Sequence, residues 1–184
     1  MRLFVAIEPD PIARQHLVRV QQTIRPCVAR ALWTRPENLH VTVKFIGEVA
    51  DGDVPAVLDV LHRTEPCGAI ELSAGGIVCF PPGRATQVVA VEFGGPGFDR
   101  LAALAERLDA ALAGLGIARE RRRYHAHATL ARPREARQLH TALVEATGDL
   151  FPGPAFLAEE LVLFESRLSP QGAQYRAVGR YPRQ

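Results

Sequence analysis

The chain has 184 residues, of which 47% are hydrophobic and 23% charged, and its formal net charge at pH 7 is +2. This length allows a buried core in one domain, and a charge this close to zero favours no class of partner by itself. The three cysteines lack the CxxC spacing of zinc sites, which indicates reduced thiols and a cytoplasmic protein. We expect no signal peptide, because the acidic Glu8 comes too soon for an apolar signal core. We expect no membrane partner, because no apolar run approaches the length of a membrane span.

Apolar periodicity and the Gly and Pro positions predict a mixed series of strands and helices. In chain order we expect a strand at residues 2–8, a helix at 9–25, a strand at 39–47, a helix at 54–64, a strand pair at 69–80 and 86–93, a helix at 98–116, a strand at 127–132, a helix at 134–146, and strands at 155–166 and 175–182. This order favours an α+β fold with antiparallel sheets.

The two halves of the chain repeat the same succession of elements. Each half contains a helix, a strand with the sequence His-x-Thr, a further helix and paired strands. Since no low-complexity linker divides the chain, we expect residues 1–184 to form a single domain of two similar lobes that face each other.

The tripeptide His-x-Thr occurs three times, beginning at His40, His62 and His127, although random placement of six histidines predicts less than one copy. Residues two apart in a strand share a face, so His40 lies beside Thr42 and His127 beside Thr129. The copy at His62 lies at a predicted helix end, where residues two apart diverge. We therefore exclude it from the site.

A further histidine, His125, shares the strand face of His127 and Thr129. It is followed two residues later by His127 rather than by a threonine, so only His127 repeats the upstream arrangement. We expect His127 to carry the chemistry, and His125 to be a neighbour at the edge of the site or a solvated loop residue.

Two His-Thr pairs suit the chemistry of a phosphate diester. Histidine gives or takes a proton near neutral pH, so two histidines on opposite sides of a phosphorus can act as base and acid in an in-line displacement. Each threonine hydroxyl can donate to a non-bridging phosphate oxygen. No metal is required, because an imidazolium group supplies the positive charge.

The two motifs resemble a known family. RPENLHVTVKFIGEV at residues 35–49 and HAHATLAR at residues 125–132 are similar to the two signatures of the 2H phosphoesterase superfamily, and most closely to its RNA 2′,3′-cyclic phosphodiesterases, also called 2′-5′ RNA ligases. RLFVAIE at the start and LVLFESRLSPQGAQY at residues 161–175 match the same family. Ala126 is a departure, because the family usually has Pro before the second catalytic histidine.

The resemblance implies a fold, an activity and a set of roles. The fold has two pseudo-symmetric α+β lobes with antiparallel sheets flanking a cleft, each contributing one His-x-Thr strand. The activity is hydrolysis of RNA 2′,3′-cyclic phosphate ends to 2′-phosphate ends, without metal or cofactor. By motif position, His40 is the acid that protonates the 3′ oxygen, His127 is the base that activates water, and Thr42 and Thr129 bind phosphate oxygens. The expected partner is RNA with a cyclic phosphate end, or a cyclic nucleotide, and the expected state is a monomer.

Three further residues are candidate substrate contacts. Lys44 has the strand parity of His40 and can face the cleft to attract phosphate, or reach solvent. Arg132 has the opposite parity to His127, but can turn back to hold phosphate if the strand ends before it. Tyr124 can stack on a terminal base.

Other residues near the motifs have two interpretations each. The arginines of residues 119–123 can track an RNA backbone or form a solvated loop. Trp33 can stack on a base but more often such a residue packs in the core, and Phe80 can line the cleft or close a hairpin.

Three other functions remain open from the sequence. The reverse reaction at the same site would join RNA ends through a 2′-5′ linkage. A binding module would hold a nucleotide or an RNA end without turnover. A metal site at His125 and His127 would need a third ligand that the sequence does not reveal.

Overall fold

The computed structural model describes residues 1–64, 68–135, 137–169 and 172–182, and within them the chain forms nine strands and four helices. The strands are β1 (Arg2–Ile7), β2 (Ala31–Trp33), β3 (Val41–Glu48), β4 (Ile70–Phe80), β5 (Val88–Gly94), β6 (His127–Pro133), β7 (Ala155–Ala158), β8 (Glu160–Ser169) and β9 (Gly172–Pro182). The helices are α1 (Pro11–Ile24), α2 (Val54–Arg63), α3 (Phe98–Ala113) and α4 (His140–Thr147).

The strands form two antiparallel sheets, which confirms the predicted α+β architecture of two lobes. One sheet has four strands in the order β3-β1-β8-β9, and the other has five in the order β2-β6-β5-β4-β7. The first His-x-Thr motif enters β3 and the second enters β6, so each sheet carries one motif.

The lobes do not coincide with the halves of the sequence. Each sheet contains strands from both halves, and two of the four helices, α1 and α3, contact the sheet to which the preceding strand does not belong. Helix α1 follows β1 of the four-stranded sheet, yet it packs with α4 against the five-stranded sheet. Helix α3 follows β5 of the five-stranded sheet and packs with α2, and it contacts both β3 of the four-stranded sheet and β4 of the five-stranded sheet. The two lobes are therefore interlocked.

Strand β1 explains why the opening stretch is apolar without alternation. Leu3, Val5 and Ile7 belong to the large core between the sheets and the helices, whereas Phe4 and Ala6 belong to a smaller cluster on the opposite face. A strand buried on both faces needs apolar side chains at every position.

The structure corrects three predicted boundaries. Helix α4 begins at His140 rather than near residue 134, because the backbones of Arg137 and Leu139 are paired with Thr86 instead of with a helical turn. The apolar stretch 155–166 is broken at Glu159 into β7 and β8, which lie in different sheets. The short strand β2, which pairs with β6, has no counterpart among the predicted elements.

The structure can be compared with the expectations for membrane spans and for the cysteines. No helix in the described ranges is long and apolar enough to span a bilayer. Cys27 and Cys79 are free thiols, and Cys67 lies outside the described residues.

Candidate active site

The two predicted catalytic histidines occupy equivalent places at the starts of facing strands. His40 directly precedes β3, and His127 is the first residue of β6. The two strands contact each other across the lobes, and the charge of His127 lowers the pKa of His40. The fold therefore brings together the two motifs, which are 87 residues apart in the sequence.

Both imidazole rings are held in the same way by the backbone. His40 Nδ1 donates to the carbonyl of Asn38 at 2.7 Å, and His127 Nδ1 donates to the carbonyl of His125 at 2.8 Å. A carbonyl oxygen only accepts, so in each neutral ring Nδ1 carries the proton and Nε2 is free to accept one. Asn38 is itself anchored, because its side-chain amide donates to the Ala173 carbonyl of β9 at 2.8 Å.

The threonines lie on the same faces as their histidines, as the strand periodicity predicts. His40 Nε2 and Thr42 Oγ1 are 3.1 Å apart, and both side chains are half-buried. Thr129 is half-buried on the face of His127, since their cross-strand partners Ala90 and Glu92 are two residues apart on β5. Each lobe thus presents an imidazole and a hydroxyl to the space between the sheets.

Burial lowers the pKa of both histidines below the usual value for imidazole, but the charges around the two rings differ. For His40, the Asn38 hydrogen bond and the nearby Glu8 carboxylate oppose this effect, while His127 adds to it. For His127, the bond to the His125 carbonyl opposes the effect, while the charges of His125 and Arg132 add to it. The surrounding charges thus favour a proton on His40 relative to His127.

A β-bulge in each motif strand determines which later side chains share the site. In β3, Val5 pairs with Lys44 and Ala6 with Thr42, so Val43 is the extra residue. In β6 the equivalent extra residue is Leu130, between the pairs of Thr129 and Ala131. Since a bulge inverts the alternation of faces, the residue two places after each threonine turns away from the cleft.

The bulge in β6 places Arg132 on the face of His127, opposite to the parity that the sequence predicts. Arg132 is exposed, and its charge lowers the pKa of His127 and opposes the rise that burial causes in the pKa of Tyr175 on β9. Its guanidinium group therefore lies within electrostatic reach of residues in both sheets, and its contact with a phosphate stays a prediction.

A family model described as LigT like phosphoesterase matches residues 7–90 and 95–175, and each matched stretch contains one of these motifs. The chain belongs to the LigT-like phosphoesterase family. This confirms the resemblance seen in the sequence.

Individual relatives agree with the family match over nearly the full chain. The RNA 2′,3′-cyclic phosphodiesterase of Methanothermobacter thermautotrophicus is 31% identical over 181 residues, which cover 95% of each protein. The protein of the same name from Methanocaldococcus jannaschii is 27% identical and covers 97% of this chain and 98% of its own.

Solved structures share the fold. The crystal structure of TT0787 of Thermus thermophilus has a TM-score of 0.83 at 26% identity, over 100% of this chain and 98% of that one. The crystal structure of E. coli LigT complexed with 3′-AMP has a TM-score of 0.75 at 23% identity, over 98% and 97% of the two chains.

In this LigT-like phosphoesterase, the expectation that Lys44 faces the cleft is wrong. Its ammonium group is buried between β3 and α3, where it donates to Asp109 Oδ1 at 2.5 Å and to the Ala118 carbonyl at 2.9 Å. The bulge at Val43 is the physical reason, because it turns Lys44 to the helix side of the sheet. Lys44 is a structural ion-pair partner in this fold.

Tyr124 is placed beside the first motif by its hydroxyl group. The phenol donates to the Thr42 carbonyl at 3.0 Å, and the half-buried ring packs against the main core. Burial raises the pKa of Tyr124, so the phenol stays protonated as a donor. The expected stacking of a base on this ring stays a prediction.

Aromatic side chains surround each histidine, and most of them were not identified from the sequence as part of a site. The His40 ring centroid lies 4.9 Å from Phe4, 5.2 Å from Tyr175 and 6.4 Å from Phe164. These three residues lie on β1, β9 and β8, and the continuous apolar runs of β1 and β8 are the signal that could have revealed a second apolar face.

Phe80 and His125 flank the second histidine. The Phe80 ring is 5.1 Å from His127 and 5.4 Å from His125, so Phe80 lines the cleft. His125 Nε2 lies 3.3 Å from Glu92 Oε2, and both side chains are partly exposed. The Ala126 backbone, despite the missing proline, is fixed by the bond from the Phe93 amide at 2.8 Å.

Two other candidates from the sequence lie outside the cleft. His62, in the excluded third copy of the motif, packs its ring 4.9 Å from Tyr181 on the helix side of the four-stranded sheet. Trp33 is half-buried under the Arg25 guanidinium, 4.6 Å from its centroid. Across the described ranges, no three His, Cys, Asp or Glu side chains form a group able to hold a metal ion.

Proposed function

We propose that this protein is an RNA 2′,3′-cyclic phosphodiesterase that hydrolyses the cyclic phosphate to a 2′-phosphate by paired histidine catalysis without a metal. The observation that carries this proposal is that two imidazole rings on facing strands are held by the backbone in the same way. Each ring has Nδ1 bound to a backbone carbonyl, which leaves Nε2 for proton transfer. The names of the relatives support the same substrate class.

In the proposed reaction, the oxygen of a water molecule attacks phosphorus opposite the 3′ oxygen. His127 Nε2 accepts the proton of that water as the new P–O bond forms. His40 Nε2 gives its proton to the 3′ oxygen as the P–O3′ bond breaks. The products are a free 3′-hydroxyl and a 2′-phosphate, and the two histidines end in exchanged protonation states.

The charge asymmetry supports the assignment of acid and base. Burial lowers the pKa of His40, but the Asn38 hydrogen bond and the Glu8 carboxylate oppose this shift and favour the proton required of the acid. Arg132 and His125 lower the pKa of His127, so the neutral form required of the base is favoured there. Thr42, Thr129 and Arg132 are the proposed donors to the non-bridging oxygens, whose charge grows in the transition state.

The test is hydrolysis of a short RNA ending in a 2′,3′-cyclic phosphate, with EDTA present throughout. The product is identified against authentic 2′- and 3′-phosphate standards by chromatography. We expect turnover to the 2′-phosphate by the wild type, and a loss of about 10²–10⁴-fold in kcat for His40→Ala and for His127→Ala.

The matched control is His62→Ala, which removes the histidine of the third His-x-Thr copy. It should retain wild-type kcat, because His62 packs against Tyr181 away from the cleft. Activity that is abolished by EDTA and restored by a divalent ion would contradict the metal-free mechanism. We also propose that the protein acts as a cytoplasmic monomer, which gel filtration and fractionation of the native cells test.

A further inference from the structure

The loop between α3 and β6 runs beside β3 and is held there at two points. Near its start, the Ala118 carbonyl accepts from Lys44, and Asp109 accepts from the Glu120 amide at 2.9 Å. Near its end, the Tyr124 hydroxyl donates to the Thr42 carbonyl. The loop therefore follows β3, an edge strand of its sheet, back toward the first motif.

Three arginines in this loop have charges that the fold does not neutralise. Arg121, Arg122 and Arg123 are exposed, and their guanidinium groups have no carboxylate partner within the described residues. The one acidic side chain among them, Glu120, accepts from the backbone amides of Arg121 and Arg122 at 2.9 and 3.1 Å. Arg119 differs, because it is paired with Asp109.

An exposed aromatic ring lies on the cleft face of the same strand. Phe45 pairs across the sheet with Phe4, as Thr42 does with Ala6, so Phe45 and Thr42 share a face. The Phe45 side chain is 50% exposed, and the Arg2 guanidinium lies 5.1 Å from its ring centroid. Three residues of strand separate Phe45 from Thr42, which is roughly 10 Å.

We propose that Phe45, Arg2, Arg121, Arg122 and Arg123, here called the β3 rim, bind the nucleotides that precede the cyclic phosphate in a single-stranded RNA. This inference rests on the proposed function, and it identifies an oligonucleotide rather than a mononucleotide as the favoured substrate. Single-stranded RNA is bound by aromatic and guanidinium planes that stack on bases, together with positive charge along the backbone. The rim provides both along β3, beginning beside the phosphate site.

The experiment compares two substrates, a 2′,3′-cyclic mononucleotide and a short RNA with the same terminal nucleotide. The variants are Phe45→Ala, Phe45→Leu and the triple change Arg121→Gln, Arg122→Gln and Arg123→Gln. We expect KM for the RNA to rise by about tenfold in the Phe45 variants, as the loss of one base stack predicts. Both kcat and KM for the cyclic mononucleotide should stay at wild-type values, and this result would also show that the variants are folded.

The salt dependence isolates the contribution of the arginines. For a single-stranded RNA, the logarithm of the binding constant falls by about 0.7 per phosphate contact for each unit of log salt concentration. If each of the three arginines contacts one phosphate, the magnitude of this slope should be smaller in the triple variant by up to about 2. The charge-matched control is Arg63→Gln with Arg100→Gln and Arg107→Gln, on or against helices α2 and α3. The control for Phe45 is Leu157→Ala, a residue that is 52% exposed on β7. Both controls should leave KM for the RNA unchanged.

The proposal is overturned if rim variants affect the two substrates equally, if they affect neither, or if the charge-matched control has the same effect. If the wild type hydrolyses neither substrate, the proposed function fails. The rim is then judged by fluorescence anisotropy with a labelled single-stranded RNA ending in a 2′-phosphate. Weaker binding by the rim variants alone supports the surface, and equal binding by all variants refutes it.

Discussion

The Tyr124 hydroxyl and the Thr42 carbonyl join the two His-x-Thr motifs by a hydrogen bond of 3.0 Å. Tyr124 lies three residues before His127, and Thr42 lies two residues after His40. The approach to the second motif is therefore fixed directly to the strand of the first. This bond restrains the relative position of the two lobes at the site where, in the proposed reaction, both histidines reach one phosphorus.

Tyr124→Phe removes this bond and keeps the aromatic ring. We expect the free energy of unfolding to fall by about 1–3 kcal/mol, because a partly buried carbonyl loses its donor. Urea denaturation measures this loss, and kcat/KM should fall with it as the motifs lose their alignment. The opposite pattern, a Phe variant like wild type and a Tyr124→Leu variant with weak RNA binding, would identify base stacking as the role of the ring.

Thr42→Val and Thr129→Val remove the hydroxyl groups that face the cleft. Since a hydrogen bond to a charged group contributes about 1.5–3 kcal/mol, kcat/KM should fall by about ten- to a hundredfold for each variant. Thr→Ser at either position keeps the donor and should retain most of the activity. Wild-type kinetics for both Val variants would show that the hydroxyls do not contact the phosphate.

The pH dependence of kcat/KM should reflect the lowered pKa values of both histidines. The rate falls at low pH as His127 becomes protonated, and at high pH as His40 loses its proton. Because burial lowers the pKa of both free-enzyme groups, the optimum should lie below the ordinary imidazole pKa of about 6.5. An optimum above pH 7 with the cyclic mononucleotide would contradict this expectation.

Changing one charge beside each histidine should move one side of this profile. Burial lowers the pKa of His40 and Glu8 opposes this shift, so Glu8→Gln should lower the pKa further and move the alkaline limb to lower pH. Arg132 lowers the pKa of His127, so Arg132→Gln should shift the acid limb to higher pH, in addition to any rise in KM. If the shifts occur on the exchanged limbs, the assignments of acid and base must be reversed. His62→Ala is the control and should move neither limb.

Asp109→Ala tests the structural role of Lys44. Burial alone would raise the pKa of Asp109, but hydrogen bonds from Lys44, the Glu120 amide and Arg119 lower it to about 2, so the carboxylate is charged at neutral pH. Its removal leaves the Lys44 ammonium buried without its anion, and we expect a loss of about 3–5 kcal/mol in unfolding free energy. Asp59→Ala, at an exposed position of α2, should change stability by no more than about 0.5 kcal/mol.

The kinetic counterpart is Lys44→Met. Since the ammonium group is directed at Asp109 and Ala118, KM for the cyclic mononucleotide should remain at the wild-type value even if the protein is less stable. A large increase in KM without loss of stability would instead indicate that Lys44 contacts the phosphate.

Strand alternation correctly paired His40 with Thr42 and His127 with Thr129, because both pairs precede the bulges. It failed immediately afterwards, at Lys44 and Arg132, because in each strand the residue directly after the threonine is an extra, bulged residue. A bulge depends on how the neighbouring strand pairs, and this long-range pairing leaves no mark in the local apolar pattern. Lys44 was expected on the cleft face and lies on the helix side, whereas Arg132 was expected on the helix side by parity and lies on the cleft face. Both errors have the same cause, a bulge directly after the threonine.

The sequence by itself determined the fold class, most strands and helices, the family, and the two histidines with their threonines. These follow from local periodicity and from motifs whose spacing is contained within a few residues. Only the tertiary structure decided that α1 and α3 contact the opposite sheet, that Asn38 and His125 orient the rings, and that Phe4, Phe80 and Tyr175 surround them. Such relationships join residues far apart in the chain, and they exist only once the two sheets have packed and brought those residues into contact.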